Sequence, residues 1–142
     1  MKPNSKRITI FRYITLAVLA GLVLEFILGM VTALYVQFPD TLAGNNAWPW
    51  AMKASPVVMA HVIIGTILLL LAIGALIYGL ASRDKTAAYG GVAGLALTLL
   101  AYLSGSSFLA NTVDDTFSFL MALGFIGSLT AYATVFYLTR RK

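Results

Sequence analysis

Four stretches of this sequence, 8–38, 56–82, 87–109 and 117–138, are continuously apolar and almost free of charge. A helix needs about 20 apolar residues to cross the hydrocarbon core of a bilayer, so each stretch is long enough to span. None alternates apolar and polar residues as the strands of a membrane barrel do. The chain is 60% hydrophobic and 11% charged, whereas soluble domains average roughly half and a quarter. It therefore lacks the polar surface of a water-soluble enzyme and any polar stretch long enough for an extramembrane domain. These features predict one all-α domain over 1–142, an integral membrane antiparallel four-helix bundle embedded in lipid.

The net charge of +5 could point to nucleic acid, but its distribution points to membrane topology. Lys2, Lys6, Arg7, Arg12, Arg83, Lys85, Arg140, Arg141 and Lys142 fall on one side, and only Lys53 falls on the other, with Asp40, Asp114 and Asp115. The excess of basic residues on cytoplasmic loops places both termini and the 82–86 turn in the cytoplasm, in a multi-pass protein of the cell membrane with no nucleic-acid partner. Trp48-Pro49-Trp50, in an outer connection over 39–55, reads as an interfacial anchor, and Tyr13, Tyr78, Tyr89 and Tyr137 lie near the inner interface. The first apolar stretch is too long for the core of a secretory signal and contains Glu25. There is no cysteine, so thiol catalysis, cysteine-bound metal clusters and disulfides are excluded within this sequence.

Small residues recur at helical spacing in every span. Ala17, Gly21, Glu25, Gly29 and Ala33 form a stripe in the first, and His61, Gly65, Leu68, Ala72, Ala75 and Gly79 a face in the second. The third carries Gly90, Gly94, Thr98, Ala101 and Gly105; the fourth carries Gly124, Gly127, Ser128, Ala131 and Thr134. In lipid, helices associate through close packing rather than hydrophobicity, so these faces are expected to meet in the bundle.

Of the ionisable residues, only Glu25 and His61 lie deep in the spans. Placing a charge there costs roughly 2.5–3.5 kcal/mol even on insertion scales, which makes each a functional candidate. At 1.5 Å per residue, Glu25 lies on the order of 18 Å from the inner boundary and His61 on the order of 6–8 Å below the outer one. Their levels differ and their Cβ bonds lean apart, so a water or cofactor between them is favoured over a direct hydrogen bond. Three roles stay open for His61: a structural donor, an axial ligand to haem iron, or a proton relay with Glu25. For Glu25 the alternatives are a neutral, hydrogen-bonded acid inside the bundle or the proton-coupling group of a carrier. Two such side chains cannot close a protein metal site, and no nucleophile with a plausible base is present, so an enzymatic activity is not assigned.

The segment from Leu24-Glu25-Phe26-Ile27-Leu28-Gly29 through Thr32, followed by a proline-containing connection and Ala60-His61-Val62-Ile63-Ile64-Gly65, resembles one four-helix half of the haem A synthase family over roughly the first two spans. The resemblance implies a bundle that binds haem, with His61 at the position of a haem-ligating histidine and Glu25 beside the cofactor. A family half has a second histidine on its fourth helix, which 117–124 lacks, and its catalytic half has Glu and Arg where this chain has Val58 and Val62. The implied protein is a half-size relative that binds haem through His61 for electron transfer or haem handling, with Met59 or Met121 as softer ligands.

Two other readings come from different classes. A proton-coupled small-molecule carrier uses Glu25; small multidrug resistance carriers are similar in having four short helices and a glutamate in the first, but the one-sided charge opposes them. A cofactor-free accessory subunit of a larger membrane complex fits as well. The glycine faces also leave room for a homo-oligomer.

Overall fold

The computed structural model describes residues 4–39, 46–110 and 114–140. Lys2, Asp40, Arg141, Lys142 and residues 111–113 of the last turn lie outside the described residues. The chain forms α1 (Ser5–Tyr35), α2 (Ala47–Ala54), α3 (Pro56–Ala81), α4 (Lys85–Ala110) and α5 (Asp115–Arg140). Four of these helices, all but α2, are long and apolar enough to cross a membrane, as a multi-pass membrane protein requires.

Each long helix begins at a polar cap. Asn4 accepts from the Arg7 amide at 3.2 Å, and Ser55 accepts from the Val57 amide at 3.2 Å with Pro56 opening α3. Asp84 accepts from the Ala87 amide at 3.0 Å, and Asp114 from the Thr116 amide at 2.8 Å. These oxygens satisfy amides that the first helical turn leaves unpaired. Helix α1 stops at Tyr35 rather than at residue 38, because Pro39 disfavours helical backbone before it and residues 36–39 run without helix.

The four long helices form an antiparallel ring in the order α1–α3–α4–α5, and the seam where α5 returns to α1 is the thinnest. At the end carrying the termini, the Asn4 amide donates to the Ser82 carbonyl at 2.9 Å and the Arg7 guanidinium to the Ala81 carbonyl at 3.0 Å. Between α3 and α4, Arg83 takes a left-handed backbone (φ 61°), and buried Ser82 donates to the Gly79 carbonyl at 2.7 Å. The core of this half contains Phe11, Val18, Leu22, Leu68, Ala72 and Tyr132. Among the described residues, Lys6, Arg7, Arg83, Lys85 and Arg140 gather at this end, while Lys53, Asp114 and Asp115 lie at the other.

Residues 39–55, expected as a connection, contain the eight-residue helix α2. Pro49 is accommodated because it sits in the first turn, where its missing amide has no intrahelical partner to lose. Ala47 and Ala51 are buried against Val58 and Leu109, so α2 lies over the end of the bundle remote from the termini. Trp50 packs on Phe38 at 5.3 Å between ring centroids, and Phe38 meets Phe108 edge-on at 5.5 Å.

The expected small-residue faces hold on α3 and α4; on α1 the middle of the stripe meets α3, with Gly21 against Leu68, Glu25 against Gly65 and Gly29 against His61, but its ends do not. Ala17 and Ala33 are exposed, and the buried side runs through Phe11, Thr15, Val18, Leu22 and Thr32. Strict four-residue spacing advances about 400° per step on a helix of 3.6 residues per turn, so over sixteen residues it winds off any face. On α5 the buried positions are Gly124, Ser128, Tyr132, Val135 and Thr139, and Thr134 is exposed.

Candidate functional site

Helices α1 and α3 bring Glu25 and His61 together. His61 Nδ1 lies 3.0 Å from Glu25 Oε1, with side chains 23% and 14% exposed. The direct contact corrects the expectation of an intervening group. Each ionisable residue faces a glycine on the opposing helix. A Cβ at Gly65 would stand 2.9 Å from Glu25 Oε1, and one at Gly29 would stand 3.3 Å from His61 Cε1. Glu25 and Gly29 are four residues apart, as are His61 and Gly65. In antiparallel register each glycine opens the space its partner's side chain needs, and both side chains lie along the interface until they touch. The pair is close but not aligned as a full hydrogen bond; Nδ1 and the second carboxylate oxygen, Oε2, are buried without another protein partner among the described residues.

Both residues line a cavity of about 410 Å³ in the half of the bundle remote from the termini. Its walls are mainly apolar, with Thr98, Ser128, Tyr102 and Ser118 supplying scattered hydroxyls. This combination of apolar walls and a few convergent polar groups is typical of small-molecule sites, which occupy roughly 300–1,000 Å³. Phe38 and Trp48 form part of the lining near α2, and Trp48, in the segment expected as an interfacial anchor, also keeps 37% of its surface exposed. Met121 also lines the cavity, its sulfur 3.1 Å from where a Cβ at Gly105 would stand; Met59 is exposed on α3 and takes no part in the lining.

At the edge of the cavity is a polar cluster in which sequence spacing found Thr98 and Ser128 but not Tyr132. Thr98 and Ser128 hydroxyls are 3.2 Å apart across α4 and α5. Tyr132 is fully buried over Gly94, where a Cβ would collide with its ring, and its hydroxyl sits beside Thr98 without an aligned hydrogen bond. The detectable signal is reciprocal: Gly94 precedes Thr98 by four residues and Ser128 precedes Tyr132 by four, the same antiparallel pairing as in Glu25/Gly29 and His61/Gly65. A second, shallower depression of about 700 Å³ runs between α4 and α5 near Tyr89 and Leu138 and has no carboxylate, imidazole or amine in its lining.

Among the described residues no group of three or more metal-binding side chains forms. The His61 imidazole, the Glu25 carboxylate and the Met30 and Met121 thioethers share the cavity lining. With Nδ1 turned to a carboxylate, the nitrogen left for a ligand is Nε2, the arrangement by which second-sphere carboxylates orient metal-binding histidines. No protein-family model, curated protein or solved structure matches the chain significantly.

Proposed function

We propose that this chain is a four-span protein of the cell membrane, with both termini in the cytoplasm, that binds haem in the cavity through His61, as a half-size relative of the haem A synthases. The observation carrying the reading is the His61 Nδ1 to Glu25 Oε1 contact of 3.0 Å on the cavity wall, which orients the imidazole and leaves Nε2 as the ligating nitrogen. Met121 supplies a soft donor in the same lining. Bound haem would supply one-electron chemistry; the chain's own residues would hold the imidazole and line the site with apolar walls and scattered hydroxyls. The purified protein titrated with haem is expected to give a Soret band that His61→Ala abolishes. Glu25→Gln, which keeps the shape but removes the charge beside the histidine, should weaken haem binding by roughly 10- to 100-fold. A protein that stays colourless with excess haem would sink the assignment.

A second reading, a proton-coupled carrier, is favoured by Glu25 Oε2, an acceptor buried without a hydrogen-bond partner. It predicts that ligand binding releases protons into weakly buffered solution and that Glu25→Gln eliminates the release. A cofactor-free accessory subunit predicts neither behaviour and recovery of the chain with a larger complex.

A further inference from the structure

The walls of the cavity are of unequal thickness. The α1–α3, α3–α4 and α4–α5 seams are closed by glycine contacts: Gly65 on Glu25, Gly91 on the Leu76 backbone, Gly124 on the Ala101 backbone. The α1–α5 seam shows no such contact and is the thinnest in the ring. Beside the cavity it is closed by Phe26 on α1 and Phe125 on α5, stacked at 5.7 Å between centroids and 24° between planes. Phe26, Met30 and Ile126 line the cavity and are also 53%, 44% and 59% exposed on the bundle's outer surface. Here the same side chains line the cavity and are exposed to the surroundings of the bundle. Toward the aqueous end the way is covered by α2 and the Phe38, Trp50 and Phe108 cluster, and toward the termini by the Phe11 to Tyr132 core.

We infer that ligands enter the cavity sideways from the bilayer, between α1 and α5, with Phe26 and Phe125 as the movable closure. The ligand is then an amphiphile already dissolved in the leaflet at the α2 end. Its apolar body matches the walls, and its polar head carries a hydrogen-bond donor for Glu25 Oε2. The inference rests on the reading of this cavity as a ligand site and not on that ligand being haem. Separating two stacked rings is a small barrier, whereas prising apart glycine-packed backbones disrupts the helix interfaces themselves.

Because the chain contains no cysteine, Ser118→Cys places a unique thiol in the cavity lining. The full chain carrying it is reconstituted in phosphatidylcholine vesicles and treated with membrane-soluble N-pyrenylmaleimide or with a charged, impermeant maleimide on both sides of the membrane. Rates are normalised to labelling after unfolding in detergent. The membrane-soluble reagent is expected to react about tenfold faster or more, since the route between α1 and α5 crosses hydrocarbon, where a charged reagent is penalised. Phe26→Ala should raise its rate by roughly 2- to 10-fold, the size of one stacked aromatic contact, and leave the charged reagent unchanged; Phe26→Trp should slow it. Equal rates for the two reagents, or rates indifferent to both Phe26 variants, would overturn lateral entry while leaving the ligand site standing. Failure of the folded protein to react with either reagent would overturn both.

Discussion

Glu25 and His61 owe their contact to two residues that carry no chemistry. Gly29 and Gly65 are the space into which the histidine and the carboxylate extend, so the contact depends on the missing Cβ atoms. Gly65→Ala brings a methyl to 2.9 Å from Glu25 Oε1. The carboxylate is the free end of a flexible side chain and can move away, so the fold should survive while the 3.0 Å contact with His61 is lost. If haem is the ligand, its affinity should fall by about 10-fold or more, as for removal of a second-sphere partner. The thermal unfolding midpoint should move little; optical titration and a thermal melt on the same sample separate the two effects. A large drop in the midpoint with unchanged affinity would mean that the contact does not orient the histidine.

Helix pairing is decided by where backbones approach. Gly124 meets the Ala101 amide nitrogen, where a Cβ would stand at 2.6 Å, and that atom cannot turn aside as a side chain can. Gly124→Ala should therefore force α4 and α5 apart and cost about 1–3 kcal/mol, as overpacking of a close-packed interface does. Ala17 belongs to the same kind of small-residue series in the sequence yet is exposed. Ala17→Leu should change stability by less than about 0.5 kcal/mol. Unfolding both variants in mixed micelles against a denaturing detergent tests the difference. Equal effects would mean that the every-fourth-residue stripe, not the observed face of α1, carries the packing. The two helices differ because a buried face must follow the 3.6-residue turn, with steps of three and four mixed, as in Phe11, Thr15, Val18 and Leu22.

The bundle as a whole has two unlike ends. One is knitted by the Asn4 and Arg7 hydrogen bonds to the α3–α4 turn and filled by large side chains; the other is hollow and covered by α2. Basic residues gather at the knitted end, and we propose that this end is cytoplasmic. The placement is testable on intact cells: Lys53→Cys should react with an impermeant maleimide added outside, and Ser5→Cys only after lysis. The reverse pattern would invert the topology, and with it the leaflet from which a ligand enters.

The spans, the helical class and the two deep ionisable residues could be read from sequence because they depend on composition along one helix. Lipid demands about 20 apolar residues and internally satisfied backbone, and a charge within such a run stands out. The Glu25–His61 contact, the cavity, the hydroxyl cluster around Tyr132 and the Phe26–Phe125 closure required the fold. Each depends on the register of two helices against each other, which is fixed by Cβ atoms and rings meeting across an interface. Depth arithmetic placed Glu25 and His61 at different levels; a pair of glycines, each facing the other helix's ionisable side chain, allowed them to meet.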